Sequence, residues 1–367
     1  MKIDNLLISL IFVCGIISNS PAGIPAGKVL NYRGTSDASA AVVISENLFI
    51  TADDENNTLR VYDANKGGLP VYSYDLTDFL DVEPEHPEAD IEGATLAADR
   101  IYWITSHGRN KEGEIRPNRY RFFATTFKIQ NGNITITPVG KPCRILIHQL
   151  IKAEHIRHLK LDKATRFDGN LTKKELKKLA PKEKGLNVEG LCASADGKTL
   201  YIGFRNPPVR DSGARQQSAL VVPLKNAADV IEKEEAPIFG EPMLWNLGSL
   251  GIRTMEYSPY HKAYFIIAGP CDEKQKFRLY KWSGDENAQP VLLRELGFEK
   301  NKFTPEALIP FRNSAGLLLL SDDGTLVINV AGPHECMKGQ FNEDGTCLNK
   351  YLLDPDKKTF RAVHIEP

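Results

Sequence analysis

DIEGATLAADRIYWITSHGRN, Asp90–Asn110, and NVEGLCASADGKTLYIGFRN, Asn187–Asn206, are one phrase written twice. Each opens on a carboxylate followed by glycine, Glu92-Gly93 and Glu189-Gly190, and runs into an apolar strand. A tight turn and a second strand of β-branched and aromatic residues follow. Three more segments fall in the same register. GIRTMEYSPYHKAYFIIAGP, from Gly251, puts Arg253 at the glutamate position; TPEALIPFRNSAGLLLLSDDG, from Thr304, puts Glu306 there; DASAAVVISENLFITADDEN, from Asp37, puts Ser39 there. Asp-Gly pairs such as Asp196-Gly197 mark the hairpin between the two strands.

Further strand-like runs follow the phrase: LRVYDA, RFFATTFKI, ALVVPL, FRLYKWSG and TLVINV, with NITITPV and PVLLREL as outer partners. About four short strands per unit, repeated about five times, is the pattern of a β-propeller, whose blades bury their faces on one another. A sandwich would supply the strands without a recurring phrase. The equivalent positions 39, 92, 189, 253 and 306 are separated by 53, 97, 64 and 53 residues, which predicts an all-β propeller of five blades, with six as the alternative count. The long step holds an insertion over 145–183 that changes from strand to helix character. Thr172 and Glu175 there have capping-box spacing, and Pro181 stops the helix. His148, His155 and His158 lie on this stretch; the helical spacing of His155 and His158 permits a metal, but no third ligand of convincing spacing joins those two, so the histidines read as a polar helix face.

The chain begins with Lys2 and an apolar run, Leu6 to Ile17, then Ser18-Asn19-Ser20, which reads as a signal peptide over residues 1–20 and predicts an exported protein, periplasmic or secreted. Val13 is bulky where lipid attachment at Cys14 would want a small residue. No later run is long and apolar enough for a membrane span in the mature chain. Lys plus Arg, 46, nearly cancel Asp plus Glu, 47, so the chain has no basic footprint for nucleic acid. Cys336 and Cys347 flank the polar loop MKGQFNEDGT and are expected to pair in an oxidising compartment, while the pairing of Cys143, Cys192 and Cys271 stays open.

The two phrases quoted first, with RPNRYRFFATTF and LGIRTMEYSPYHKAYFIIAGP, resemble the motifs of an uncharacterised bacterial family, a domain of unknown function expected to form a propeller. The likeness covers roughly Asn31 to the C-terminus, matching a single propeller domain over 31–367, and implies a fold without an activity. The Glu-Gly opening of the strands is, more loosely, similar to phytase-like and lactonase-like propellers.

In a propeller the first strand of each blade lines the central channel. One rim is therefore expected to gather Ser39, Glu92, Glu189, Arg253 and Glu306 from strand starts, and Asp53, Asp54, His107, Arg109, Arg205, Asn206, Asp322 and Asp323 from strand ends. Convergent carboxylates repel unless compensated. Arg253 is one compensator and a calcium ion another, with Glu92, Glu189 and Glu306 as ligands. Under that reading His107 is the candidate general acid or base, and Arg205 or Arg253 steadies developing negative charge. Arg109, Asn206, Arg116 and Arg119 are candidate ligand-binding groups, and Arg121 shares their loop. The expected function is a calcium-assisted hydrolase of an ester, lactone or phosphoester. The alternatives are a non-catalytic propeller that binds a small anionic or ester-type ligand, a glycan or a protein on its rim, and a purely structural ion-pair ring. No nucleophile elbow, zinc-binding helix motif or phosphate-binding glycine loop is present.

Overall fold

Strand formation follows from the apolar, β-branched and aromatic runs of the repeated phrase, and the computed structural model describes residues 29–210, 217–272, 276–298 and 302–367. The segment over residues 1–20 that reads as a signal peptide, with Cys14 in it, lies outside the described residues. Five antiparallel four-stranded sheets form the blades. Blade I is Ala38–Val43, Leu48–Asp53, Asn56–Asp63 and Tyr72–Asp75. Blade II is Ile91–Ala97, Arg100–Thr105, Phe122–Gln130 and Asn133–Cys143. Blade III is Asn187–Ala193, Leu200–Asn206, Ala219–Leu224 and Met243–Trp245. Blade IV is Gly251–Ser258, Ala263–Gly269, Phe277–Trp282 and Val291–Leu296.

Blade V takes Thr304–Pro310, Leu317–Asp322 and Thr359–Ile365 from the C-terminal part, and its outermost strand, Val29–Arg33, from the other end of the described chain. That strand closes the ring. Leu30 and Tyr32 point into the core between blades V and I, where Tyr32 meets Phe49, Tyr62 and Phe360 at ring separations of 5.4, 5.2 and 5.0 Å. TLVINV is not a blade strand, contrary to its reading in the sequence: Val327–Asn329 pairs with Thr346–Leu348 in a separate two-stranded sheet. Val327 and Asn329 are exposed, whereas Phe360, Ala362, Val363 and Ile365 are buried, so only the later strand offers blade V faces to pack.

The inner strands touch one another in cyclic order, and an apolar core lies between each neighbouring pair of blades. The 145–183 insertion holds only short helices, Leu146–Leu150, Asp162–Thr165 and Lys173–Lys177. Leu146, Ile147, Leu150 and Leu161 extend the core between blades II and III, and the Thr172/Glu175 capping box forms. His155 Nε2 donates to the Gly240 carbonyl, 3.1 Å away, while His148 stacks on Phe167 at 4.1 Å, so these histidines face different surroundings. A second insertion, between Asp322 and Thr359, has its own small core of Cys336, Cys347 and Leu352. The two thiols are free and in contact. Among the described residues no helix is long and apolar enough to cross a membrane.

Candidate functional site

Every inner strand carries a β-bulge at the same place. Register slips between Ala38 and Ala40, Ile91 and Gly93, Val188 and Gly190, Ile252 and Thr254, and Pro305 and Ala307. The residues left out of the ladder are Ser39, Glu92, Glu189, Arg253 and Glu306, the equivalent positions of the repeated phrase. A bulged residue escapes strict alternation between the two sheet faces, and the strand bends to re-aim it. In a blade packed on both faces, the free direction is the channel. The glycine after the bulge keeps the strand close to the next blade: a Cβ on Gly93 would lie 3.1 Å from Leu191 Cβ, and one on Gly190 2.8 Å from Ile252 Cγ2.

The bulged side chains meet across blades. Glu189, only 2% exposed, accepts hydrogen bonds from Arg205 Nη1 at 2.6 Å and Asn187 Nδ2 at 2.8 Å, and forms an ion pair with Arg253 Nε at 3.2 Å. Arg253, 3% exposed, also pairs with Glu306. Arg205 is fixed further by the carbonyls of Pro270 and Cys271 at 3.2 and 3.3 Å. Ser39 donates to the Ile91 carbonyl. Glu189 thus sits between two guanidinium groups and is locally neutralised.

Charge is not balanced toward blades I and II. Carboxylate oxygens of Asp54, Glu92 and Glu306 all lie within 4.8 Å of one another, and so do those of Asp37, Asp53 and Asp54. Asp54 Oδ1 is buried with no hydrogen-bond partner. The Glu92 carboxylate, in a residue 9% exposed, has no hydrogen bond or ion pair among the described residues; Glu189 and Asp90 repel it, and Arg253 and Arg205 attract it. Burial, then the neighbouring charges, holds Glu92 well above the usual carboxylate range. Asp54 is held high by burial and by Asp37 and Glu92, and Asp37 by burial and by Asp322 and Asp53. Burial raises Asp53 to about 6 against the pull of Arg60.

Several residues expected at this mouth go elsewhere. His107 is 1% exposed under the insertion, with Nδ1 on the Thr105 carbonyl at 2.8 Å and its ring edge-on to Tyr120. Burial lowers its pKa to about 4, and its charged neighbours are His148 and Arg121, so the structure does not bring it to the carboxylates. Arg109 spends its guanidinium on the carbonyls of Gly113, Thr165 and Arg166, between 2.8 and 3.2 Å. Asn206 Nδ2 donates to the carbonyls of Pro181, Glu183 and Gly185. Both tie the 145–183 insertion to the ring. Arg121 is buried against the carbonyls of Leu80 and Pro117, and Asp323 pairs with Arg361 at 2.6 Å. Chain direction after a strand end, which spacing does not reveal, sends these side chains away from the channel.

Arg119 does reach the mouth. It pairs with Asp90 Oδ2 at 2.9 Å and with Glu88, and Glu92 and Asp54 add to its attraction. Arg116, paired with Glu114 at 2.9 Å, lines a cavity of about 170 Å³ with Glu85, His86, Pro87, Glu88 and Arg119. The sequence reading missed Glu88, Asp37 and Lys350. Glu88 is raised to about 7 by burial and Asp90, with Arg119 opposing. Lys350, from the second insertion, reaches Glu55 Oε1 at 2.6 Å. The acidic run Glu83–Asp90 was a visible signal for Glu88; nothing in the repeat points to Lys350.

Solved structures resemble this one at low similarity. A Myxococcus xanthus glutaminyl cyclase is 11% identical with a TM-score of 0.40, over 81% of this chain and 92% of that one. A PQQ-bound aldose sugar dehydrogenase from Streptomyces coelicolor is 11% identical with a TM-score of 0.38, over 93% and 100%. No curated protein matches in sequence. The family profile of a protein of unknown function, DUF3616, matches residues 37–122 and 145–314, more than half of the chain and most of blades I to IV, and the chain belongs to that family.

Proposed function

We propose that the protein is an exported, periplasmic or secreted propeller whose channel mouth binds a calcium ion through Asp54, Glu92 and Glu306. Through that ion it binds and hydrolyses an ester, lactone or phosphoester. The observation that carries this reading is the buried, unpartnered carboxylate of Glu92 facing Asp54 and Glu306 within 4.8 Å. Oxygens about 2.3–2.6 Å from one calcium ion can be separated by up to about 5 Å, and calcium takes carboxylates without needing nitrogen or sulfur donors. A bound cation would polarise a carbonyl or phosphoryl oxygen and favour ionisation of water.

The chain's own groups divide the remaining work. Arg205 and Arg253 hold Glu189 and Glu306 in place, since both guanidinium groups are already committed to carboxylates. His107 lies in another pocket, so Glu88 takes the place of a proton carrier near neutral pH, on the wall of the cavity that Arg116 and Arg119 share. The paired state of Arg205 and Arg253 favours a second reading, a propeller that binds an anionic ligand or a protein on its rim through the cation without turnover.

Melting curves with chelator and with millimolar calcium test the site. Binding to the folded form alone raises Tm with free calcium, and Glu92→Gln is expected to reduce that shift. Folded protein whose Tm ignores calcium would leave the ring structural. A panel of aryl esters, lactones and phosphoesters then separates the readings: calcium-dependent turnover weakened by Glu88→Gln supports the hydrolase, and a calcium shift without turnover supports the binding propeller.

A further inference from the structure

Two acidic groups meet at Asp54, yet the second insertion brings a fixed positive charge to only one of them. Asn349 is fully buried, donates to the carbonyls of Asp323 and Thr359 at 3.0 and 2.6 Å, and receives Thr359 N at 3.1 Å. This holds the next residue, Lys350, whose backbone N–H bonds to the Gly324 carbonyl at 3.1 Å. Gly324 lies directly on Asp37: a side chain there would run into the Asp37 carboxylate. The Asp322 carboxylate accepts from Gly324 N at 2.9 Å and fixes the turn. From this base the Lys350 side chain crosses to blade I, where Nζ pairs with Glu55 at 2.6 Å under the attraction of Asp37 and Asp54.

We propose that Lys350 is a tethered counter-ion beside Asp37 and Asp54, so that the mouth takes one divalent cation, at Asp54, Glu92 and Glu306, and not a second at Asp37, Asp53 and Asp54. The proposal rests on the calcium reading above. An ammonium group on a stem anchored by Asn349 is present at fixed effective concentration, and a second dication beside it would meet repulsion from both Lys350 and the first ion. Asp54 is the shared ligand, so neutralising its far side also sets how strongly it can hold the ion on its near side. Lys350 is thereby a positioning residue that sets stoichiometry.

Calcium titration by calorimetry, with metal analysis after equilibrium dialysis, tests this on the full mature chain. One calcium per chain is expected for the wild type and for Lys350→Arg, and two for Lys350→Met; adding Asp37→Asn to Lys350→Met returns the count to one. Asp53→Asn, in a chain that keeps Lys350, is expected to leave calcium affinity within about twofold, while Glu92→Gln weakens it at least about tenfold. Two ions in the wild type, one in folded Lys350→Met, or a tenfold loss in Asp53→Asn would overturn the proposal while leaving calcium binding intact. A wild type that binds none removes the calcium reading and this inference with it.

Discussion

At the scale of single residues, Glu92 and Glu189 occupy equivalent bulges and differ in sign of effect. Glu189 is held by two arginines and Asn187, so Glu189→Gln would leave two buried guanidinium groups short of charge. Removing one partner of a buried pair costs about 3–5 kcal/mol. Glu234 is exposed and paired only with exposed Lys141, so Glu234→Gln should leave stability unchanged. Glu92→Gln removes a carboxylate whose nearest charges repel it, and is expected to raise the stability of metal-free protein while reducing its response to calcium. Urea denaturation of the three variants in chelator checks all three directions; equal losses at Glu189 and Glu234 would refute the channel assignment.

At the scale of elements, ring closure depends on a five-residue strand, Val29–Arg33, paired to Thr359–Ile365. Without it blade V would expose the edge of Thr359–Ile365 and the apolar face around Phe360. Tyr32 is the strand's main contribution: it is fully buried among three aromatic rings and its hydroxyl donates to the Asp63 carbonyl at 3.2 Å, so it links blades V and I. Tyr32→Ala is expected to cost about 3–5 kcal/mol, as large aromatic truncations do. Tyr32→Phe, which loses only one hydrogen bond, should cost about 0.5–1.5 kcal/mol. Denaturation midpoints decide; a Tyr32→Ala midpoint near that of the wild type would mean that the strand does not close the ring. The alternation of Leu30 and Tyr32 was legible, but its partner lies at the far end of the chain, and no local pattern identifies a strand contributed over that distance.

At the scale of the whole molecule, the proposed calcium site makes protons and a cation competitors for one acidic mouth. Glu92, Asp54 and Asp37 bind protons more tightly folded than unfolded. Their contribution to the stability of metal-free protein is therefore full at low pH and is lost as pH rises through the raised values, of which Asp53 at about 6 and Glu88 at about 7 mark the accessible part. His107 works in the opposite direction: with its pKa lowered to about 4, its contribution is present above the ordinary value of 6.5 and is lost as pH falls toward 4. Calcium needs ionised ligands and releases their protons. The calcium-induced rise in Tm is therefore expected to be larger near pH 8 than near pH 5, with His107 unaffected because it lies outside the mouth. Melting curves at both pH values, with and without calcium, measure this, and a shift that shrinks as pH rises would refute acidic ligation.

What the sequence determined by itself was periodic. Five copies of one phrase specify five blades, and their equivalent positions 39, 92, 189, 253 and 306 fall on the five bulges, because the same local pattern folds the same way in every blade. What only the tertiary structure decided was non-periodic. Whether His107, Arg109 and Asn206 face the channel or the insertion depends on how a connecting segment packs back on the ring. Lys350 reaches Glu55 from 295 residues away, through an insertion that only blade V carries. Repetition makes ring positions readable in one dimension; the charges that balance them come from chain segments that nothing but three-dimensional packing brings together.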